Sequence, residues 1–162
     1  MKREIEFYSE GFKLCGDVYV PDGLAAGERR SAVLLCHGYT GVKDLYLPDN
    51  ARVLNEAGYV AMTFDYKGWG DSEGKSPHRL APYSRVADVQ AAMTFLGLQP
   101  AGNEDNIGIY GSSYGGANVS CVGAVDQRAK CIVSVVGIGN GARWMSRVRR
   151  MDEWFDLLDR SK

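Results

Sequence analysis

The sequence is poor in the residues and patterns that would point to a membrane, a metal site or a nucleic acid. Only two of its 162 residues are histidine, and no apolar run reaches the roughly 18 residues of a membrane-spanning helix. The four cysteines include no CxxC pair, which argues against a zinc site. The formal net charge of -1 leaves no basic face for a nucleic acid. We therefore expect no membrane or nucleic-acid partner, no metal and no organic cofactor.

The remaining composition is that of an ordinary globular domain. Hydrophobic residues make up 45% of the chain and charged residues 24%, which is enough to build a sizeable core. The first residues, MKREIEFYSEGF, lack the apolar stretch of a secretory signal peptide. We therefore expect a cytoplasmic protein with reduced thiols.

Strand and helix patterns alternate along the chain. An N-terminal pair of strands is followed by the order β-α-β-α-β-α-β, which predicts an α/β fold with a mostly parallel sheet flanked by helices. Residues 102–105 are interpreted as a turn. The predicted strands cover residues 3–9, 12–20, 31–36, 59–64, 107–110 and 130–136, and the predicted helices lie near 48–58, 84–97 and 114–125.

A candidate nucleophile lies between the fifth strand and the helix that follows it. The segment Gly111–Gly115 reads G-x-S-x-G, with Ser113 at its centre. In a nucleophile elbow the serine occupies a strained corner between strand and helix, so its neighbours two residues away must be small. Gly111 and Gly115 meet that requirement. The alternatives are a glycine-rich β-α turn with an incidental serine, or a phosphate-binding turn, although no phosphate-loop pattern is present.

The loop after the third predicted strand offers a partner for that serine. Acyl transfer needs two N–H donors directed at the developing oxyanion. The first candidate is the backbone N–H of Tyr114, and the second, by its position in the loop His37–Gly41, is the backbone N–H of Tyr39. We expect the side chain of His37 to shape this loop through hydrogen bonds rather than to transfer a proton.

Three motifs together resemble the α/β-hydrolase superfamily. They are His37-Gly38 after the third strand, Asp65–Ser72 after the fourth and Gly111–Gly116 after the fifth, and the resemblance covers about residues 5–140. Within that superfamily the sequence resembles bacterial carboxylesterases close to the dienelactone-hydrolase and X-Pro-dipeptidyl-peptidase groups. The resemblance implies that Ser113 is the catalytic nucleophile, that the amides of Tyr39 and Tyr114 form the oxyanion hole, and that Asp65–Ser72 is a structural turn.

The rest of a catalytic triad is missing from the chain. In this superfamily the acid and then the histidine follow the serine, but no histidine follows Ser113. The second histidine, His78, lies in a polar loop, where we expect it to be solvated; a role towards the substrate is the alternative. Among the acids after the serine, we interpret Asp126 as a turn residue. The other four are predicted to lie on a C-terminal helix: Asp152, Glu153, Asp156 and Asp159.

The C-terminal residues also indicate an incomplete fold. Apolar side chains recur at helical spacing without a partner element: Trp144, Val148, Met151, Phe155 and Leu158. We interpret residues 1–140 as the N-terminal part of a hydrolase core and residues 141–162 as the start of a cap or lid. A second polypeptide or a C-terminal fragment is expected to complete the fold and to supply the acid and the histidine.

The sequence thus predicts a serine hydrolase of carboxylesterase type that cleaves a small-molecule ester. Two alternatives stay open: a peptidase or thioesterase with the same machinery, and a catalytically inactive binding module with a hydrolase-like fold.

Overall fold

In the part of the chain that the structure describes, one mixed sheet of six strands forms, in the order β1-β2-β4-β3-β5-β6. The computed structural model describes residues 1–75 and 80–160. The first strands, β1 and β2, pair antiparallel with each other, and β2 pairs antiparallel with β4. The remaining neighbours, β4-β3, β3-β5 and β5-β6, are all parallel. The prediction of a mostly parallel sheet with an antiparallel N-terminal pair is therefore confirmed.

The strands alternate with helices as the sequence pattern predicts. The strands are β1 (Lys2–Ser9), β2 (Phe12–Tyr19), β3 (Arg30–Cys36), β4 (Val60–Phe64), β5 (Gly102–Ser112) and β6 (Ala129–Val135). The helices are α1 (Leu47–Glu56), α2 (Pro82–Gly97), α3 (Tyr114–Val125), α4 (Gly141–Arg147) and α5 (Met151–Arg160). Within the described residues, none of these helices is long and apolar enough to cross a membrane.

Apolar side chains fill two layers, one on each face of the sheet. The larger core lies under α2 and α3 and includes Leu34, Met62 and Ile109. The smaller core lies under α1, where Leu47 and Ala51 pack against strand residues. Because both faces of the central strands are covered, β4 is buried along its whole length, as expected for a strand of a parallel sheet.

Two details differ from the sequence-based expectation. Residues 102–105 form the beginning of β5 rather than a turn, because Gly102 pairs with Arg30 before the register shifts. The apolar stripe that begins at Trp144 spans two short helices rather than one, since the chain leaves the helix after Arg147. Neither helix contains a buried residue, so the stripe is exposed along much of its length.

Candidate active site

The strand β5 ends in a sharp corner at Ser113, directly before helix α3. Ser113 has φ of 54° and ψ of -121°. This backbone conformation is energetically unfavourable for any residue other than glycine. The corner is held on both sides, because the Ser113 N–H donates to Val135 O at 2.9 Å and its carbonyl accepts from Ala117 N–H at 3.3 Å. Ser112, by contrast, lies in β5, and its hydroxyl forms a hydrogen bond with the hydroxyl of Tyr46.

Close backbone packing explains the glycines on either side of the serine. A Cβ atom on Gly111 would lie 2.2 Å from the carbonyl oxygen of Gly115. A Cβ atom on Gly115 would lie 2.4 Å from the carbonyl oxygen of Cys36 and 2.7 Å from that of His37. Real Cβ atoms do not approach backbone atoms so closely, so both positions require glycine for steric reasons.

The loop after β3 lies directly against the candidate nucleophile. A Cβ atom on Gly38 would be 3.4 Å from Ser113 Cβ and 3.8 Å from Ser113 Oγ. Tyr39 is the next residue, and its ring contacts Trp69 edge-on with centroids 5.8 Å apart. Tyr114 begins α3, and the N–H groups in the first turn of a helix have no partner within the helix. The structure thus brings Ser113 together with the loop of Tyr39 and the helix start at Tyr114.

His37 is buried beneath this loop rather than placed as a base. Its side chain is fully buried, and its Nδ1 lies 2.8 Å from Gly38 O, which assigns the ring proton to Nδ1. Burial lowers the pKa of His37 to about 4, so the ring is neutral near pH 7. The Nε2 atom lies 3.9 Å from an oxygen of Asp65, and among the described residues no hydrogen bond joins this ring to Ser113.

The carboxylate of Asp65 ties the loops after β3 and β4 together. It accepts the N–H of Lys43 at 2.7 Å and the N–H of Asp71 at 3.1 Å. The hydroxyl of Ser72 donates to Asp65 O at 2.7 Å. Burial raises the pKa of Asp65, and the two backbone donors oppose that shift. These contacts give the segment from Asp65 to Ser72 the geometry of a structural turn.

A buried arginine that the sequence analysis did not single out lies under the loop of Tyr39. Arg85 of α2 is 2% exposed, and its guanidinium donates to Gly38 O and to Tyr39 O, each at 3.3 Å. It also stacks over the rings of Tyr66, Trp69 and Tyr114 at 4.3, 4.8 and 5.7 Å. The one indication in the sequence was its spacing, because Arg85 continues the apolar stripe of α2 that runs through Val89 and Met93.

Ser113 lines an open cleft of about 790 Å³. One wall is the loop that follows β6, and the other is the helix α4. Two arginines and a tryptophan of α4 line this wall, so the cleft has a positive and aromatic side. The lining residues beside the serine include Gly137, Asn140, Arg143, Trp144 and Arg147.

The acids after Ser113 do not reach this cleft. Asp126 pairs with Arg128 at 2.6 Å, and hydrogen bonds from that arginine lower the pKa of Asp126 to about 2. Asp152 on α5 pairs with Arg150 at 3.2 Å. His78, for which a solvated loop position was predicted, lies outside the described residues. In the part of the chain that the structure describes, no group of three or more His, Cys, Asp or Glu side chains could hold a metal ion.

The fold and the strained serine corner define an α/β hydrolase. Residues 27–158 match the family described as serine aminopeptidase, S33, and the chain belongs to this family. An uncharacterised 31.7 kDa protein of the Escherichia coli traX-finO intergenic region is 36% identical over 82% of this chain. A thiohydrolase of Aspergillus aculeatus, aneE, is 34% identical over 82% of this chain.

A solved structure has the same fold over nearly the whole chain. The hypothetical protein PA2218 of Pseudomonas aeruginosa superposes with a TM-score of 0.87 at 26% identity, covering 99% of this chain and 51% of that one. The matched region is 44% of the Escherichia coli protein and 40% of the thiohydrolase. The chain therefore spans less than half the length of these two curated relatives.

Proposed function

We propose that this chain carries the nucleophile and the oxyanion hole of a serine hydrolase that cleaves carboxylic esters. The observation that carries the proposal is the conformation of Ser113, which holds a strained backbone at the end of β5 with its side chain at an open cleft. Strain of this kind persists only where the surrounding structure enforces it. Here the enforcing contacts are the steric fit of Gly115 against Cys36 and the hydrogen bond to Val135.

In the proposed reaction Ser113 Oγ attacks the carbonyl carbon of the ester. The electron pair of the carbonyl moves to its oxygen, and the backbone N–H groups of Tyr39 and Tyr114 stabilise the negative charge that develops there. Collapse of this intermediate expels the alcohol and leaves an acyl group on Ser113. The proton taken from Ser113 passes to the departing alcohol, and water then hydrolyses the acyl-enzyme, which releases the carboxylic acid and restores the serine hydroxyl.

The proton of Ser113 needs an acceptor, and we place it outside these 162 residues. The ring of His37 is neutral, but it is buried and its Nδ1–H donates to Gly38 O. No hydrogen bond joins this ring to Ser113 among the described residues. None of the acids after Ser113 lines the cleft, and two of them, Asp126 and Asp152, pair with neighbouring arginines. A further segment that supplies an acid and a histidine would complete the triad, consistent with the longer relatives. Helices α4 and α5 would then begin a cap over the cleft.

Thioester cleavage is the second candidate, since one relative at 34% identity is named a thiohydrolase. The two chemistries share the nucleophile and the oxyanion hole, and they differ only in the leaving group. A peptidase would use the same serine and oxyanion hole and stays open as an alternative, whereas an inactive binding module is less consistent with the strained serine and the adjoining loop. A cytoplasmic location stays a prediction from the sequence.

The test is turnover by the completed enzyme, meaning these 162 residues together with the segment that supplies the acid and the histidine. Denaturing mass spectrometry of the natural protein identifies that segment, as part of the same chain or as a second polypeptide. We expect hydrolysis of p-nitrophenyl acetate or of an acyl thioester, and a loss of at least about 1000-fold in kcat for Ser113→Ala. Unchanged turnover in this variant would rule out Ser113 as the nucleophile.

A further inference from the structure

Arg85 is a buried cation that forms no ion pair with any carboxylate in the described part of the chain. Its side chain is 2% exposed, and the buried carboxylate of Asp88 acts on it only at longer range and pairs with Lys67 instead. Burial lowers the pKa of Arg85, and its Nε atom has no hydrogen-bond partner within the described residues. Burying a charge that has no ion-pair partner is costly, so a position of this kind points to a purpose beyond packing.

The contacts of Arg85 join the two halves of the proposed oxyanion hole. On one side the guanidinium donates to the carbonyls of Gly38 and Tyr39. On the other side it stacks on the ring of Tyr114, whose backbone N–H is the second proposed donor. The rings of Tyr66 and Trp69 hold the guanidinium plane from the interior of the protein.

Peptide geometry turns these contacts into a constraint on the Tyr39 amide. No cis peptide bond occurs in the described residues, so the Gly38 carbonyl and the Tyr39 N–H of one peptide unit point in opposite directions. Arg85 and His37 both hold the Gly38 carbonyl on the buried side of the loop. The Tyr39 N–H is thereby directed away from the buried side, and the same loop abuts Ser113 at Gly38.

We infer that Arg85 is a positioning residue that fixes the Tyr39 amide for transition-state stabilisation, an inference that rests on the proposed function. A planar guanidinium can donate hydrogen bonds to two carbonyl oxygens in one plane, which an ammonium group cannot do. The effect of Arg85 is therefore on the oxyanion, which exists only in the transition state and the tetrahedral intermediate. Its removal lowers kcat and leaves the binding of the ground-state ester nearly unchanged.

The experiment compares Arg85→Met, Arg85→Lys and Met93→Ala in the completed enzyme. Met93 is a fully buried residue of the same helix that takes no part in the loop, so its truncation reports a loss of packing alone. For p-nitrophenyl acetate we expect both Arg85 variants to lose about 10- to 100-fold in kcat, with KM within about 3-fold of wild type. The affinity for a trifluoromethyl ketone, which forms a tetrahedral adduct with the serine, should fall by the same factor as kcat/KM.

Chemical rescue separates a positioning role from a purely structural one. Arg85→Ala leaves a space where free guanidinium, at a concentration too low to denature, should raise kcat, and Met93→Ala should show no such response. The inference is overturned if Arg85→Lys keeps the wild-type kcat, or if the variants lose activity without rescue and with unchanged ketone affinity. A wild-type enzyme without ester or thioester turnover would instead contradict the proposed function itself.

Discussion

The carbonyl oxygen of Cys36 lies 2.4 Å from the point that a Cβ atom on Gly115 would occupy. The end of β3 therefore packs against the first turn of α3 with no room for a side chain. This contact sets the position of the loop after β3 relative to Ser113, and so determines where the two proposed oxyanion donors meet.

Gly115→Ala should therefore destabilise the protein and distort the serine corner. Relief of the clash requires backbone movement, and overpacking of this kind costs about 1–3 kcal/mol in the free energy of unfolding. Urea denaturation of the completed enzyme measures the loss, and turnover should fall with it. Gly141→Ala is the matched control, because no described atom beyond its chain neighbours and the backbone of its own helix lies within 4 Å of a Cβ at that position, and the residue is outside the lining of the cleft. Equal stability of the two variants would contradict the steric account.

The burial of neutral His37 should make stability depend on pH. The pKa of this ring is about 4 in the folded protein, against 6.5 for the free side chain. Between these values the unfolded state binds more protons, so the free energy of unfolding falls as pH is lowered from 6.5 towards 4. The full contribution is about 3 kcal/mol, all of it present above pH 6.5.

His37→Asn is the variant that isolates this effect. Asparagine can replace the Nδ1–H donor to Gly38 and does not titrate. The stability difference between wild type and variant should shrink as pH falls through this window. A difference that stays constant from pH 7 to pH 4 would show that His37 is not buried in the neutral form.

Arg143 and Arg147 should favour substrates that carry an acidic group. The two arginines lie one helical turn from each other on α4, and both line the cleft beside Ser113. The completed enzyme should cleave the mono-p-nitrophenyl ester of adipic acid faster than p-nitrophenyl hexanoate. Each Arg→Gln substitution should reduce that preference in kcat/KM by about 3- to 5-fold, the scale of an exposed charge pair. Arg150→Gln, a control that removes a charge paired with Asp152, should leave the preference intact.

The strand and helix order could be predicted from the sequence because its patterns are local. Continuous apolar runs such as 31–36 mark strands buried on both faces, and the glycines around Ser113 mark a corner with no space for side chains. The beginning of β5 was missed because Gly102 to Asp105 read as a turn, and their strand character comes from pairing with Arg30, a distant residue. The interruption after Arg147 was missed because helical spacing continues across it.

The position of the loop against the serine could be expected, but the contacts that hold it could not. Nothing in the sequence analysis singled out Arg85, and only the folded chain shows its guanidinium under Gly38 and Tyr39. The roles of Ser113, Tyr39 and Tyr114 in catalysis stay predictions. The origin of the base also stays a prediction, because no histidine follows Ser113 in the sequence.

The most direct test of the central claim is covalent labelling of the completed enzyme with a fluorophosphonate, followed by tandem mass spectrometry. Such reagents modify a serine that is activated as a nucleophile. The account predicts one adduct per molecule on Ser113, lost in Ser113→Ala and kept in Ser112→Ala. An adduct on another serine, or no adduct on an enzyme that still turns over esters, would contradict it.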